Sequence, residues 1–391
     1  MSFIPGAGAI VPTLLVAFAI AALAALVLTP SVRRFSRAFG LVDRPDARRV
    51  NLRPIPRGGG LAVVAAFVGV AIVVVVLADR RVIEAVVIPP TVLPTELGAL
   101  LIGGLVAAAI GFLDDVLQIR ARWQLIGQLG VATLAVALGV QIDSIANPVG
   151  PGTIVLRDVF AWAFTIVWIV GMINSINFID GLDGLSSGIS LIAAITLGLI
   201  SLTTAVGPFG QPFIAILCFV LAGALLGFLR WNFHPASIFL GTSGVMFIGY
   251  TLAVLSILGT AKVAVALLVL GVPIIDTFWI IVRRLANRRS PFTPDRGHVH
   301  HRLLDLGLGH TETVVLIYAI TAALAALTFF LSGAGQLYAF LGVVVGSGIV
   351  LFLLTGRATV LEDLEAETYE APPHRHDEKS ADRDEKPAGT L

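Results

Sequence analysis

The residues that could do chemistry in this chain sit at the ends of apolar runs. Two adjacent carboxylates, Asp114 and Asp115, close such a run in GFLDDVLQIR. Side by side they repel unless a cation lies between them. Such a pair suits a general base or a Mg²⁺ site facing a phosphate. The bland alternative is a solvated helix end, although acids there oppose the helix dipole. A second group is NSINFIDGLDGLSSG, in which Asn174, Asn177, Asp180 and Asp183 recur every three residues. On a helix they drift slowly around one face and gather amide and carboxylate oxygens. Gly181 and Gly184 let backbone approach a ligand closely. Hard oxygens at this density suit Mg²⁺ and its phosphates, while a capped helix break is the structural alternative.

A third group is RRLANRRSPFTPDRGHVHHRLLDLG, with Asp295, Arg296, His298, His300 and His301. Arginine can grip a phosphate with two parallel hydrogen bonds. On a helix His298 and His301 converge, whereas the adjacent His300 and His301 diverge. No cysteine or HExxH pattern accompanies them to suggest a zinc site. A basic loop next to a membrane can also simply contact anionic lipid head groups. The fourth group, DRPDARRVNLRPIPRGGG, includes Arg49 and Arg57. Its charge is explained by anchoring at a membrane, but its Pro- and Gly-rich end implies a shaped loop.

These groups need elements to hold them, and composition says which. The chain has 391 residues, 57% hydrophobic and only 13% charged, with a mean hydropathy of +0.94. Soluble domains carry about 25% charged residues, so an ordinary soluble enzyme is excluded. A net charge of +1 gives no reason to expect a nucleic-acid partner. The single cysteine, Cys218, excludes an internal disulfide or a cysteine cluster. About eleven apolar runs are long enough to cross a bilayer, near 9–29, 61–78, 97–113, 123–140, 159–175, 185–203, 212–229, 244–259, 261–281, 313–331 and 337–355. Strict alternation of polarity is missing, so the expected fold is an all-α polytopic membrane protein.

Of the 26 basic residues, 22 fall in one set of connections together with the C-terminal tail. The other set holds Arg80, Arg81, Arg157 and Lys262. The positive-inside rule makes the rich set cytoplasmic, with the N-terminus outside and the C-terminus inside. All four groups then lie on the cytoplasmic face of a cell membrane. The first run lacks a basic leader and reads as a retained span. Residues 1–356 form the expected membrane domain. Residues 357–391 are rich in charge and proline and read as a disordered tail, in which His374 and His376 are solvated. Carboxylates inside a ring of Arg and His predict a diphosphate ligand, and phosphoryl transfer involving a lipid is the best reaction class.

The motifs, in this order, resemble the bacterial polyprenyl-phosphate N-acetylhexosamine-1-phosphate transferases, a superfamily that includes phospho-MurNAc-pentapeptide translocase. The likeness covers roughly residues 10–355 and rests on NSINFIDGLDGL and SPFTPDRGHVHHRLL. It implies transfer of a sugar-1-phosphate from a UDP-sugar to polyprenyl phosphate, with UMP leaving and an envelope glycan begun. It implies a Mg²⁺ cofactor, with Mn²⁺ as a substitute, contacts with membrane lipids, and leaves a homodimer open. By the same likeness Asp114, Asp115, Asp183 and His301 are catalytic, and Asp183 and Asp115 hold the metal. Asn174, Asn177, Asp180, Arg49, Arg57, Asp276, Asp295, Arg296, His298 and His300 bind substrate. Four positions depart from the pattern. Arg49-Val50-Asn51 replaces Lys-Val-His, Ser237 replaces a Lys, and Thr242 replaces an Asp that ligates metal in relatives. A hydroxyl is a poorer Mg²⁺ ligand than a carboxylate. Those departures motivate the alternative of a non-catalytic scaffold that binds lipid or nucleotide. A transporter is a third reading, but no charged path crosses the spans.

Overall fold

The computed structural model describes residues 3–4, 7–43, 54–82, 88–89, 92–147, 149–150, 152–204, 210–259, 263–286, 298–331 and 333–348. Arg49, Asp295, Arg296 and the tail 357–391 therefore lie outside the described residues.

The protein is mostly helical, as a chain without water for its backbone must be. Helix α1 is Ala7–Ala38, α2 is Gly60–Asp79 and α3 is Pro94–Leu117. They are followed by α4 (Ala121–Ala137), α5 (Asp158–Ile179) and α6 (Leu185–Ser201). Next come α7 (Pro212–Asn232), α8 (Gly241–Leu258), α9 (Val263–Val269) and α10 (Gly271–Ala286). The short α11 (Val299–Asp305), α12 (His310–Leu327) and α13 (Ala334–Gly348) complete the described chain. Seven of these are long and apolar enough to cross a membrane. An eighth is added if α9 and α10, bent by 78° at a short break, count as one span. The remaining three apolar runs, at α4, α6 and α13, are helices too short to qualify by length. Residues 1–344 form one compact unit, and a second unit begins at Val345.

Helices α7 and α8 form the centre of the bundle. Their apolar windows are 78% and 89% buried, against 28% for α1. Helix α1 packs along α7, α6 packs on the other side of α7, and both α3 and α5 pack on α8. Without a hydrophobic drive between helices in lipid, small residues are what permit such close contact. Gly223 and Gly227 of α7 lie against the carbonyls of Phe18 and Ala22 of α1, where any Cβ would overlap them. Gly60 of α2 meets Gly244 of α8 in the same way. One turn of α3, Ala99–Gly103, is π-helical. The Tyr250 hydroxyl of α8 fills the space above Gly103 and donates to the Ala99 carbonyl at 2.7 Å.

Two small hairpins connect the helices. In the first, β1 (Val42–Asp43) pairs antiparallel with β2 (Ile55–Pro56), so that Val42 faces Pro56. The chain after β2 is laced to the connection before α8. Phe239 N–H donates to Pro56 O at 2.8 Å, and Gly60 N–H donates to Leu240 O at 2.8 Å. In the second, β3 (Ser144–Ala146) pairs antiparallel with β4 (Thr153–Val155). Large apolar side chains such as Leu15, Leu23, Val73, Ile102 and Val167 remain exposed on the outer helices. Exposed apolar surface on this scale has no place in water and suits lipid.

Candidate active site

The ends of α3, α5 and α7 meet the starts of α2, α6, α8 and α12 at one end of the bundle. All the acidic candidates among the described residues, apart from Asp276, come from those ends.

Asp115, in the last turn of α3, is 1% exposed. Its two carboxylate oxygens accept the N–H groups of Thr242 at 2.9 Å and Ser243 at 3.0 Å. These amides open α8 and would otherwise lack partners. Gly241 precedes them with φ +77°, and a Cβ there would press on Gly58 N at 2.6 Å and Asp115 Oδ2 at 2.8 Å. Arg57 donates from Nη2 to the Asp115 carbonyl at 2.6 Å, so its guanidinium is tied to the same corner. Asp114 is buried beside it, and its carbonyl accepts from Gln118 in a left-handed helix end.

Asp180 follows α5 directly, and Asp183 sits in the tight turn before α6. Ser186 donates to Asp180 Oδ1. Burial drives the Asp180 carboxyl up to about 7, the Ser186 hydroxyl opposes the rise, and the negative charges of Asp115 and Asp183 add to it. Three carboxylates thus sense one another here, a surplus of negative charge that suits a dication. Each oxygen of Asp115 keeps a second lone pair beyond the amide it accepts. The donor chemistry therefore fits Mg²⁺ at Asp183 and Asp115. Position 242 offers only a hydroxyl and its backbone.

Asp183 Oδ2 accepts from His234 Nδ1 at 2.8 Å and from Ala236 N–H at 3.0 Å, which pins the connection between α7 and α8. The Asp183 amide donates to His310 Nε2 at 3.2 Å. The neighbouring Gly184 has φ +79°, and its carbonyl accepts from the Tyr318 hydroxyl. Ser187 donates to Asn232 Oδ1 at 2.7 Å, a second tie between α6 and α7. The Ser237 hydroxyl donates to Trp231 O at 2.9 Å and closes the same connection.

The histidine motif is held from α10. His298 precedes α11, and its Nδ1 donates to Asp276 Oδ2 at 2.8 Å. The other oxygen of Asp276 accepts Val299 N–H at 2.9 Å. Asp276 therefore positions the motif and is itself 4% exposed. His300 is 2% exposed, and a Cβ on Gly181 would overlap its Nε2. Neither ring nitrogen of His300 has a partner among the described residues. Burial, then the positive fields of His301, His298 and His310, lower its pKa to about 3. His300 and His301 rings lie 4.4 Å apart, so adjacent histidines do meet here, against the expectation that they diverge.

The structure thus brings together Asp115, Asp180, Asp183 and His300, with His298 and His301 alongside. Asn174 makes contacts between helices. Its amide donates to Gln128 at 2.6 Å and to Val170 O at 2.8 Å, joining α5 to α4. Asn177 contributes its carbonyl to the Asp180 amide. Sequence reasoning missed His234 and His310. The available signal was their place at the ends of apolar runs, where an imidazole is uncommon.

Comparison with known proteins places the chain in a family. Residues 97–260 match the model for glycosyl transferase family 4. The chain is 38% identical over 313 residues to a Bacillus subtilis (strain 168) protein named "Probable undecaprenyl-phosphate N-acetylglucosaminyl 1-phosphate transferase", covering 78% of this chain and 82% of that one. It is 35% identical over 347 residues to a decaprenyl-phosphate N-acetylglucosaminephosphotransferase of Mycolicibacterium smegmatis (strain ATCC 700084 / mc(2)155), covering 83% and 84%. A Yersinia pestis undecaprenyl-phosphate alpha-N-acetylglucosaminyl 1-phosphate transferase is 28% identical over 305 residues, covering 75% and 77%. Identity of this degree, sustained over most of both chains, means that the protein belongs to glycosyl transferase family 4.

Proposed function

We propose that the protein transfers N-acetylhexosamine-1-phosphate from a UDP-sugar to polyprenyl phosphate, releasing UMP and starting a lipid-linked envelope glycan. The observation that carries this reading is the meeting of the 180–184 loop with His300 and His310 next to the buried end of α3. Names of relatives that specify polyprenyl phosphate and N-acetylglucosamine phosphate support it.

An oxygen of the lipid phosphate attacks the β-phosphorus of the donor. The bond from that phosphorus to the bridging oxygen breaks, and UMP leaves with the electron pair. Asp114 and Asp115 orient or deprotonate the lipid phosphate. Asp183 and Asp115 would hold Mg²⁺, or Mn²⁺ in its place, and that ion supplies charge neutralisation at the diphosphate. Asn174, Asn177, Asp180, Arg49, Arg57, Asp295 and Arg296 serve the donor, with Asp276 positioning His298. His301 stabilises charge on the leaving side. His300, neutral near pH 7, offers a hydrogen bond and not a charge. Eleven crossings with the N-terminus outside, the active end facing the cytoplasm, and a disordered tail from 357 belong to the same reading, as does a homodimer.

The test is purified protein in nanodiscs with Mg²⁺, polyprenyl phosphate and a panel of UDP-N-acetylhexosamines. Release of UMP together with a lipid diphosphate sugar is expected. Donor and lipid binding without any product would favour the scaffold reading, which Thr242 and Ser237 motivate.

A further inference from the structure

Asp183, His234 and His310 come from three separate elements: the turn before α6, the connection after α7, and the first residue of α12. Each offers one ligand atom, and these atoms lie within 4.8 Å of one another. The residues are far apart in sequence; Asp183 and His310 are separated by 127 positions. The two imidazole rings stack with centroids 4.2 Å apart.

The cluster is not a satisfied hydrogen-bond network. His234 has one good contact, from Nδ1 to Asp183 Oδ2 at 2.8 Å. His310 has only a long 3.2 Å contact at Nε2, and its Nδ1 is buried with no hydrogen-bond partner among the described residues. A buried polar nitrogen left without a partner is destabilising. Hydrogen bonding inside the trio therefore leaves it incomplete, whereas a cation could use both rings and the carboxylate. Asp183 is largely buried, and His234 is 41% exposed, which leaves the cluster a side open to solvent and to further ligands.

We propose that Asp183, His234 and His310 form a divalent metal site of one carboxylate and two imidazoles, selective for borderline transition ions such as Zn²⁺ or Co²⁺ over Mg²⁺. Imidazole is a ligand of such ions, whereas Mg²⁺ favours oxygen donors in near-ideal octahedral geometry. A set with one carboxylate and two imidazoles is common at zinc sites that keep a position open. The site uses no donor from position 242. The site shares the Asp183 carboxylate with the Mg²⁺ reading above, but its test is independent of the transferase reading, since metal binding is measured without donor or lipid.

The experiment uses full-length protein in nanodiscs, with any histidine tag removed. His374 and His376 are changed to Gln throughout, so that tail imidazoles do not contribute. Metal is stripped with chelator, and Co²⁺ is titrated by visible ligand-field absorption, with content checked by elemental analysis. About one equivalent should bind, resist excess Mg²⁺ and be displaced by Zn²⁺. His234→Gln and His310→Gln should each weaken binding by at least the roughly tenfold that even an outer-shell partner is worth. His298→Gln should leave it intact. Should His310→Gln not fold, by size exclusion and melting, the half-exposed His234→Gln carries the test alone. The proposal is overturned by no Co²⁺ binding, by Mg²⁺ displacing Co²⁺ at equal concentration, by unchanged affinity in His234→Gln, or by loss of the site in His298→Gln alone. Any of these can occur while UMP release persists, so failure here is separable from failure of the transferase reading.

Discussion

Gly181 and His300 touch so closely that no side chain can be added to the first without moving the second. This contact joins the acidic loop after α5 to the histidine helix α11. It also explains why the loop needs glycine at a position whose backbone angles do not demand one.

Gly181→Ala should therefore displace the His300 ring and disorganise the site. Displacement by about 1 Å can cost roughly 10²-fold in turnover. Steady-state UMP release should fall by at least tenfold, while the melting temperature changes little. Full activity in Gly181→Ala would show that the contact is incidental.

Asp115 and Asp276 each cap the start of a helix that belongs to a different element. Asp115→Asn replaces an acceptor oxygen with a donor facing an amide N–H. Loss of a helix cap costs about 1 kcal/mol, and a buried unsatisfied group adds about 1–3 kcal/mol. Both the melting temperature and turnover should drop, turnover by more than about tenfold if Asp115 also serves in proton transfer. His301→Ala should lower turnover to a similar degree with little loss of stability. Unchanged rates in both variants would remove these two residues from the chemistry.

Asp180 gives a pH signature. Its folded pKa of about 7 stands above the ordinary carboxyl value of 3.8, so between those values the folded state binds the extra proton. Stability from this group is present at low pH and declines as pH rises through about 7. Asp180→Asn cannot ionise. Its melting temperature relative to the unaltered protein should rise from about pH 4 to about pH 7 and then level off. A gap that stays constant would place the carboxyl in an ordinary environment.

His300 works in the opposite sense. Its folded pKa of about 3 lies below the ordinary imidazole value of 6.5, so the unfolded state binds the extra proton in between. Stability from neutral burial is present above 6.5 and is lost progressively as pH falls toward about 3. His300→Asn should flatten the acid limb of the melting-temperature profile. Equal acid sensitivity in both proteins would contradict a neutral, buried ring.

Much of the fold was readable because membrane helices depend on local composition. Within the described residues, each of the eleven apolar runs is a helix or the bent pair α9 and α10. Counting crossings is harder, since α4 and α6 have 17 residues each and length alone does not make them spans. Asp180 and Asp183 were visible as a repeating polar pattern between two apolar runs. Their partners were not, because His234 and His310 lie 51 and 127 positions from Asp183. Likewise, spacing could not reveal that Asp115 serves the amides of Thr242 and Ser243, 127 and 128 positions away. Asn174 shows the converse: a correct three-residue repeat placed it in line with the acids, but Gln128 on α4 claims its amide.

The glycine seam between α1 and α7 has a thermal consequence. Cohesion between helices in lipid draws on dispersion, which needs the close approach that Gly223 and Gly227 allow to the carbonyls of Phe18 and Ala22. Burial of oily surface away from water loses strength on cooling. A seam built on direct atomic contact does not share that weakness, so the scaffold beneath the reactive end should keep its grip in the cold.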